Sequence, residues 1–200
     1  NRVEAGIAGG TVRAGGAVGL TARDQSQISS LGLSIAASGT AAVSAIIGAN
    51  VITNAVVAQI AGATVASGSA LTLEAANAST IFGFAGGVAA AGTAAVQVTV
   101  AANVVANTTR AAIVYGDVLD DDGDVIGATA TQVDAGGAAS LSAKDSSSID
   151  SISFGVSGSG GAAVGVAMAA NAVANHVEAL IGGSDDFAAG TVTLDADGAV

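Results

Sequence analysis

The phrase GTAAV stands at Gly39–Val43 and again at Gly92–Val96, 53 residues later, and a degenerate copy, GGAAV, stands at Gly160–Val164. A fixed long period constrains a fold more than any composition does, because each copy must build the same unit and bury its apolar face against its neighbours. Shifted by 53, the chain aligns on itself without a gap: Ala5, Ile7, Gly9, Val12, Leu20, Ala22, Ser26 and Ile28 fall on Ala58, Ile60, Gly62, Val65, Leu73, Ala75, Ser79 and Ile81. A third copy opens at Asn107, is interrupted by about fifteen extra residues, and resumes at Val133, Leu141, Ala143 and Asp145. A fourth opens at Asn175. The units are 1–53, 54–106, 107–174 with an insertion near 114–132, and a partial 175–200. We read residues 1–200 as one continuous repeat array, expected to be a slice of a longer one.

Within each unit apolar and polar residues alternate. Val18, Leu20 and Ala22 share one face, and Gly19, Thr21 and Arg23 share the other. That period of two is the strand signature, and pairs such as Gly-Gly, Ser-Gly and Asp-Gly punctuate it as turns. The chain has no Pro, which would remove ladder hydrogen bonds. The predicted fold is all-β: a β-solenoid, specifically a right-handed parallel β-helix. Fifty-three residues of strand trace up to roughly 175 Å, so each repeat is expected to wind two coils of about 26 residues or three of about 18. GTAAV then serves packing: Gly for a tight corner, small residues for close approach, Val to fill the interior.

Composition removes several classes. Five Lys plus Arg against sixteen Asp plus Glu, a formal charge of −11, exclude a nucleic-acid binder, which needs clustered cations. The absence of Cys removes disulfides and thiolate metal sites. The uncharged runs from Gln25 to Leu73 and from Ala75 to Thr109 are long enough to cross a bilayer as helices. They are rich in Gly, Ser, Thr, Asn and Gln, however, and aromatic residues make up only 2%, too few for the girdles of a membrane barrel. No membrane insertion of this segment is expected.

The phrases TVRAGGAVGLTARDQSQI, SGSALTLEAANASTI and AGGAASLSAKDSSSID, each followed by a GTAAV-like and an Asn-bearing segment, resemble the repetitive shafts of large bacterial filamentous-haemagglutinin-like and leukotoxin-type filamentous adhesins. The resemblance covers essentially the whole chain. It implies a secreted, non-enzymatic β-helical shaft at the bacterial surface. The implied partners are a host or neighbouring-cell surface or glycan, with self-association into fibres. The family brings no catalytic residues to such regions. Two other readings stand beside it. A β-helical polysaccharide-acting enzyme would need clustered Arg, Lys and Asp in a groove. An ice- or surface-binding solenoid would need a regular Thr array, for which Thr21, Thr72 and Ser142 form the better column and Thr11, Thr64 and Thr191 the poorer.

One segment is chemically distinctive. Asp117, Asp120, Asp122 and Asp124 lie in GDVLDDDGDV, and alternate carboxylates of this kind can hold a hard cation such as Ca²⁺. The loop is not an EF-hand, since Val125 stands where Gly is required and Thr131 where Glu is required. A solvated acidic loop is the alternative, and calcium is the one cofactor considered. GSDDF at Gly183–Phe187 is read as its counterpart in the next copy. Two Asn columns (Asn1, Asn54, Asn107 and Asn175; Asn50, Asn103 and Asn171) are read as internal ladders. Asp24, Asn77 and Asp145, with Ser26, Ser79 and Ser147, are read as polar corners. His176 is the only His, too little for a triad or a metal cluster. Phe82, Phe84, Phe154 and Phe187 are read as core or end fillers, or as sugar-stacking platforms if exposed.

Overall fold

The computed structural model describes residues 1–119 and 122–199. The first unit contributes β1 (Arg2–Ala8), β2 (Thr11–Ala14), β3 (Val18–Ser38) and β4 (Ala41–Ile52). The second repeats them as β5 (Ala55–Ala61), β6 (Thr64–Ser67), β7 (Leu71–Ala91) and β8 (Ala94–Val105). The third begins with β9 (Thr108–Val114), sends out a hairpin of β10 (Gly116–Leu119) and β11 (Val125–Thr129), and continues with β12 (Thr131–Ala135), β13 (Ala138–Ser159) and β14 (Ala162–Val173). Then follow β15 (His176–Gly182), β16 (Ser184–Ala188) and β17 (Thr191–Ala199). The described residues are all-β, as expected, and among them no helix is long and apolar enough to cross a membrane.

Equivalent strands stack in four parallel sheets, ordered β1-β5-β9-β15, β2-β6-β12-β16, β3-β7-β13-β17 and β4-β8-β14. The register couples Arg2 to Ala55, Val18 to Leu71 and Ala41 to Ala94. Each residue therefore bonds to the one 53 positions on, or 68 positions on once the hairpin intervenes. This corrects the expected two or three coils per unit, because each 53-residue unit is a single layer. The path that seemed too long for one coil is absorbed by β3, whose 21 residues run far beyond the first three-strand compartment before β4 brings the chain back.

Each layer thus has two compartments. In the first, β1, β2 and the opening half of β3 enclose an apolar core of stacked identical positions, with Ile60 and Ile113, Leu73 and Leu141, and Val65 and Val133 fully or nearly fully buried. In the second, the rest of β3 and all of β4 lie against one another as a flat two-sheet lobe, joined at the tip by the Gly of GTAAV. Glycine is required there. A Cβ on Gly92 would sit 2.1 Å from the Gly39 carbonyl oxygen of the layer below, and one on Gly160 would sit 2.7 Å from that of Gly92. The Val of the phrase does not fill the interior as expected. Val43 is 72% exposed and Val164 51%, and it is Ala42 and Ala95 that turn inward.

The hairpin emerges at a corner. Gly9 and Gly62 turn from the first strand of a layer to the second with φ of +66° and +59°, and Gly183 does so at +111°. The third layer has Tyr115 at that place and leaves the coil there as β10. A left-handed corner is costly for a residue with a Cβ, and the excursion replaces it.

Candidate functional site

Four features carry chemistry or recognition. The first is a polar spine at the junction of the two compartments. Asn50 donates through Nδ2 to Oδ1 of Asn103 at 2.8 Å, and Asn103 donates to Oδ1 of Asn171 at 2.8 Å. The second Asn column bonds differently. Asn107 Oδ1 accepts from the Asn54 backbone N–H at 3.0 Å, and Asn175 Oδ1 from that of Asn107 at 3.1 Å. The Asn54 amide reaches sideways to Asp24, Ser26, Asn77 and Ser79, and Asn1 donates to Ser26. Asp24, Asn77 and Asp145 belong to this network, with Asn77 4% and Asp145 2% exposed, and Asn77 donates to Asp145 between layers at 2.8 Å. The Asp145 carboxyl oxygens accept from Ser147, Asn175, Asn77 and Thr109. Below the spine, Ile28, Ile81 and Ile149 pack with Ile52, Val105 and Val173 and seal the junction. Such a network fixes strand register, because a slip by one residue would bury apolar side chains among donors and acceptors.

The second feature is the acidic hairpin. Asp117 is exposed on β10, and Asp122 and Asp124 are exposed about Gly123. Asp120 lies outside the described residues. Among the described residues no three His, Cys, Asp or Glu side chains converge as a metal group. GSDDF begins at the same corner of the next layer: Gly183 stands over Tyr115, the residues after it form β16 on β12, and Asp185 accepts a hydrogen bond from the Tyr115 hydroxyl at the hairpin's base.

The third is the outside of the first compartment, which carries all five Lys and Arg. Ion pairs link successive layers there: Arg23 with Glu74 at 2.7 Å, Arg110 with Glu178 at 2.7 Å and Lys144 with Asp195 at 3.3 Å. Shallow concavities of about 300 Å³ run across β2, β6 and β12, lined by Arg13, Gln132, Asp134 and Asp186 among others. No Thr column forms. Thr21 pairs with Glu74, Thr72 lies between Gly19 and Ser140, and the Thr11–Thr64 pair continues to Gln132, which corrects both proposed arrays. His176 is exposed at the start of β15.

The fourth is a reversal of faces: the inside of the lobe holds polar side chains and small Ala and Gly, and its large apolar side chains point outward. Inward positions of β8 include Gln97, Thr99 and Asn103 beside Ala95 and Ala101, all buried, and Ser34 meets Ser44 across the gap at 2.7 Å. The buried hydroxyls of Ser151 and Ser153 and Oε1 of Gln97 find no partner there. Outward positions of β4, β8 and β14 are Ala, Val, Ile or Met at every place, and Ile47 is 84% exposed. The outer side of β3, β7 and β13 is apolar as well, with Ile35 83% exposed. There the Phe154 ring covers Gly86 and meets Phe84 edge-on at 5.6 Å, so Phe84 and Phe154 are surface and not core residues. Phe82 is exposed beside them, and Phe187 packs against the apolar core. The signal was present in VQVTVAANV of β8, where the larger apolar residues alternate with Gln, Thr and Asn that turn inward.

No protein-family model, curated protein or solved structure matches this chain.

Proposed function

We propose that this chain is a non-enzymatic structural segment of a secreted bacterial surface adhesin or extracellular fibre, a stiff right-handed parallel β-helical shaft. The observation that carries the reading is the register: every strand of the first layer bonds to its equivalent in the second at the same offset of 53 around the whole coil. Each unit rises about 4.8 Å while β3 alone extends about 70 Å, so the shaft is a broad blade. A blade resists bending in its own plane far more than a thin rod of the same mass. The interlayer ion pairs and the Asn ladder add lateral stitching. Loops such as the acidic hairpin leave at corners, where they can vary without disturbing the stack. A host or neighbouring-cell surface or glycan remains the proposed target of the parent molecule, and an extracellular location follows from the same reading. Electron microscopy of the chain lengthened by ten further units tests it. Straight blades about 48 Å longer than their parent are expected, at about 4.8 Å per unit. Beaded or freely bending arrays would refute the shaft.

A further inference from the structure

We propose that the outer face of β4, β8 and β14 is a docking surface for a second copy of this chain, packed about a two-fold axis parallel to the stacking direction. Three observations carry this. The first is area. Three strands of 12 residues span about 40 Å by 14 Å, a planar face of about 570 Å² with no polar side chain. That is at the upper end of what monomers leave exposed. Two such faces cover about 1,100 Å², above the threshold of roughly 1,000 Å² for a specific interface, and each added layer widens the contact.

The second is relief. Ile47, Val100 and Met168 form a ridge along the stack, and Ala49, Ala102 and Ala170 form a groove two residues away. A two-fold axis between the rows sets each ridge in the partner's groove, layer against layer. The same operation places Ala45 against the partner's Val51 and Val166 against the partner's Ala172. Large faces small in the ridge and groove rows and at these two positions, as interdigitating sheets require, while in the middle layer Val98 meets the partner's Val104. Both copies share one layer spacing, so the match persists along the stack.

The third is charge. The charge is carried by the first compartment, the junction and the acidic hairpin, and the lobe carries Asp150 alone. The two-fold places the charged compartments at opposite ends of the overlapped lobes, about 40 Å apart and beyond the ~8 Å screening length at physiological salt. A lipid surface is the weaker occupant, since fluid chains gain nothing from the ridge and groove and the lobe has no aromatic girdle. The inference is independent of the shaft reading: a flexible array would keep this face.

Sedimentation velocity over a concentration series, with far-UV circular dichroism, tests it on the 200-residue chain. The chain is expected to sediment at twice its mass or more. Val100→Asp is expected to return it to the mass of one chain with an unchanged spectrum, and Val88→Asp, on the opposite outer face, to leave association intact. Because the chain lacks Cys, Val100→Cys carries a single spin label. Dipolar broadening is expected from labels about 10–15 Å apart across the interface. This label reading holds even if the Asp variant fails to fold. A chain that is monomeric throughout, association that Val100→Asp leaves intact or Val88→Asp abolishes, or absence of broadening would overturn the proposal. So would a monomer that floats with phosphatidylcholine vesicles through this same face.

Discussion

Asp145→Asn tests whether the spine fixes the stack. Asp145 is 2% exposed and accepts at both oxygens: from Ser147 and Asn175 at Oδ1, and from Asn77 at 2.8 Å and Thr109 at 3.2 Å at Oδ2. An amide accepts at only one end. With the new NH₂ in place of Oδ2, the Thr109 hydroxyl can rotate to accept, but the Asn77 amide faces another donor. Turning Asn77 over does not help, because its Oδ1 already accepts from Asn54 at 3.2 Å and from Ser79. With the NH₂ at the other end the conflict falls on Asn175, whose Oδ1 is held by the Asn107 backbone N–H. One buried donor is left unpaired in every arrangement, at a cost of about 2 kcal/mol. For a chain of this size that lowers Tm by about 4–8 °C. The assay is thermal and urea unfolding followed by far-UV circular dichroism. Asp150→Asn, on the exposed outer side of β13, is the control and stays within about 0.5 kcal/mol. An Asp145→Asn protein as stable as its parent would refute the claim that this carboxyl is held by geometry.

Further outcomes follow from packing. Gly92→Ala places a Cβ 2.1 Å from the Gly39 carbonyl oxygen and is expected to destabilise by about 2 kcal/mol or more, whereas Gly39→Ala meets nothing within 4 Å and is near neutral; urea midpoints decide. Ile113→Ala, in the apolar core, is expected to cost about 2–5 kcal/mol, while Ile47→Ala leaves the single chain's unfolding midpoint nearly unchanged. Replacing residues 115–130 by one Gly restores the corner of the first two layers and is expected to keep the Tm of the parent. Adding EDTA or Ca²⁺ is expected to leave Tm unmoved, because the hairpin pairs only with itself; a shift of several degrees on EDTA would place a structural cation there.

The alternation was enough to read the strands, and the 53-residue shift named the residues that stack. What the sequence left open was which way each face turns. A period of two says that Val96, Val98 and Val100 share a side, not whether that side is the interior. In the first compartment the apolar side is inward, as usual. In the lobe it is outward, because Asn103 and Val105 on the same strand are pinned inward by the spine and the junction plug. Parity then carries Gln97 and Thr99 inside. The coil number hangs on the same reversal: within Val18–Ser38 the apolar positions pass from Val18, Leu20, Ala22 and Ile28 to Leu31, Leu33 and Ile35, a change of parity that reads as a break between strands although one 21-residue strand serves both compartments. The Thr columns failed because a slip of two residues keeps the face while changing the partner, so Thr21 and Thr72 share a face of the sheet without being neighbours in register. The tip was legible only as glycine, since its closest contact is with a backbone oxygen in another layer.

The two compartments therefore hold together by different means. The first is stabilised by apolar burial that repeats in every layer, and its surface carries the charge. The lobe gains its order from ladder hydrogen bonds and from the spine, buries little apolar surface, and leaves several hydroxyls without partners. Turned the other way, its Val and Ile would be removed from water at about 25 cal/mol per Å². The inward anchoring of Asn50, Asn103 and Asn171 forbids that flip at the root of every layer. The apolar face is thus held outward by hydrogen bonds at one end of the strand, and only a neighbour with the same relief and spacing removes it from water without disturbing them.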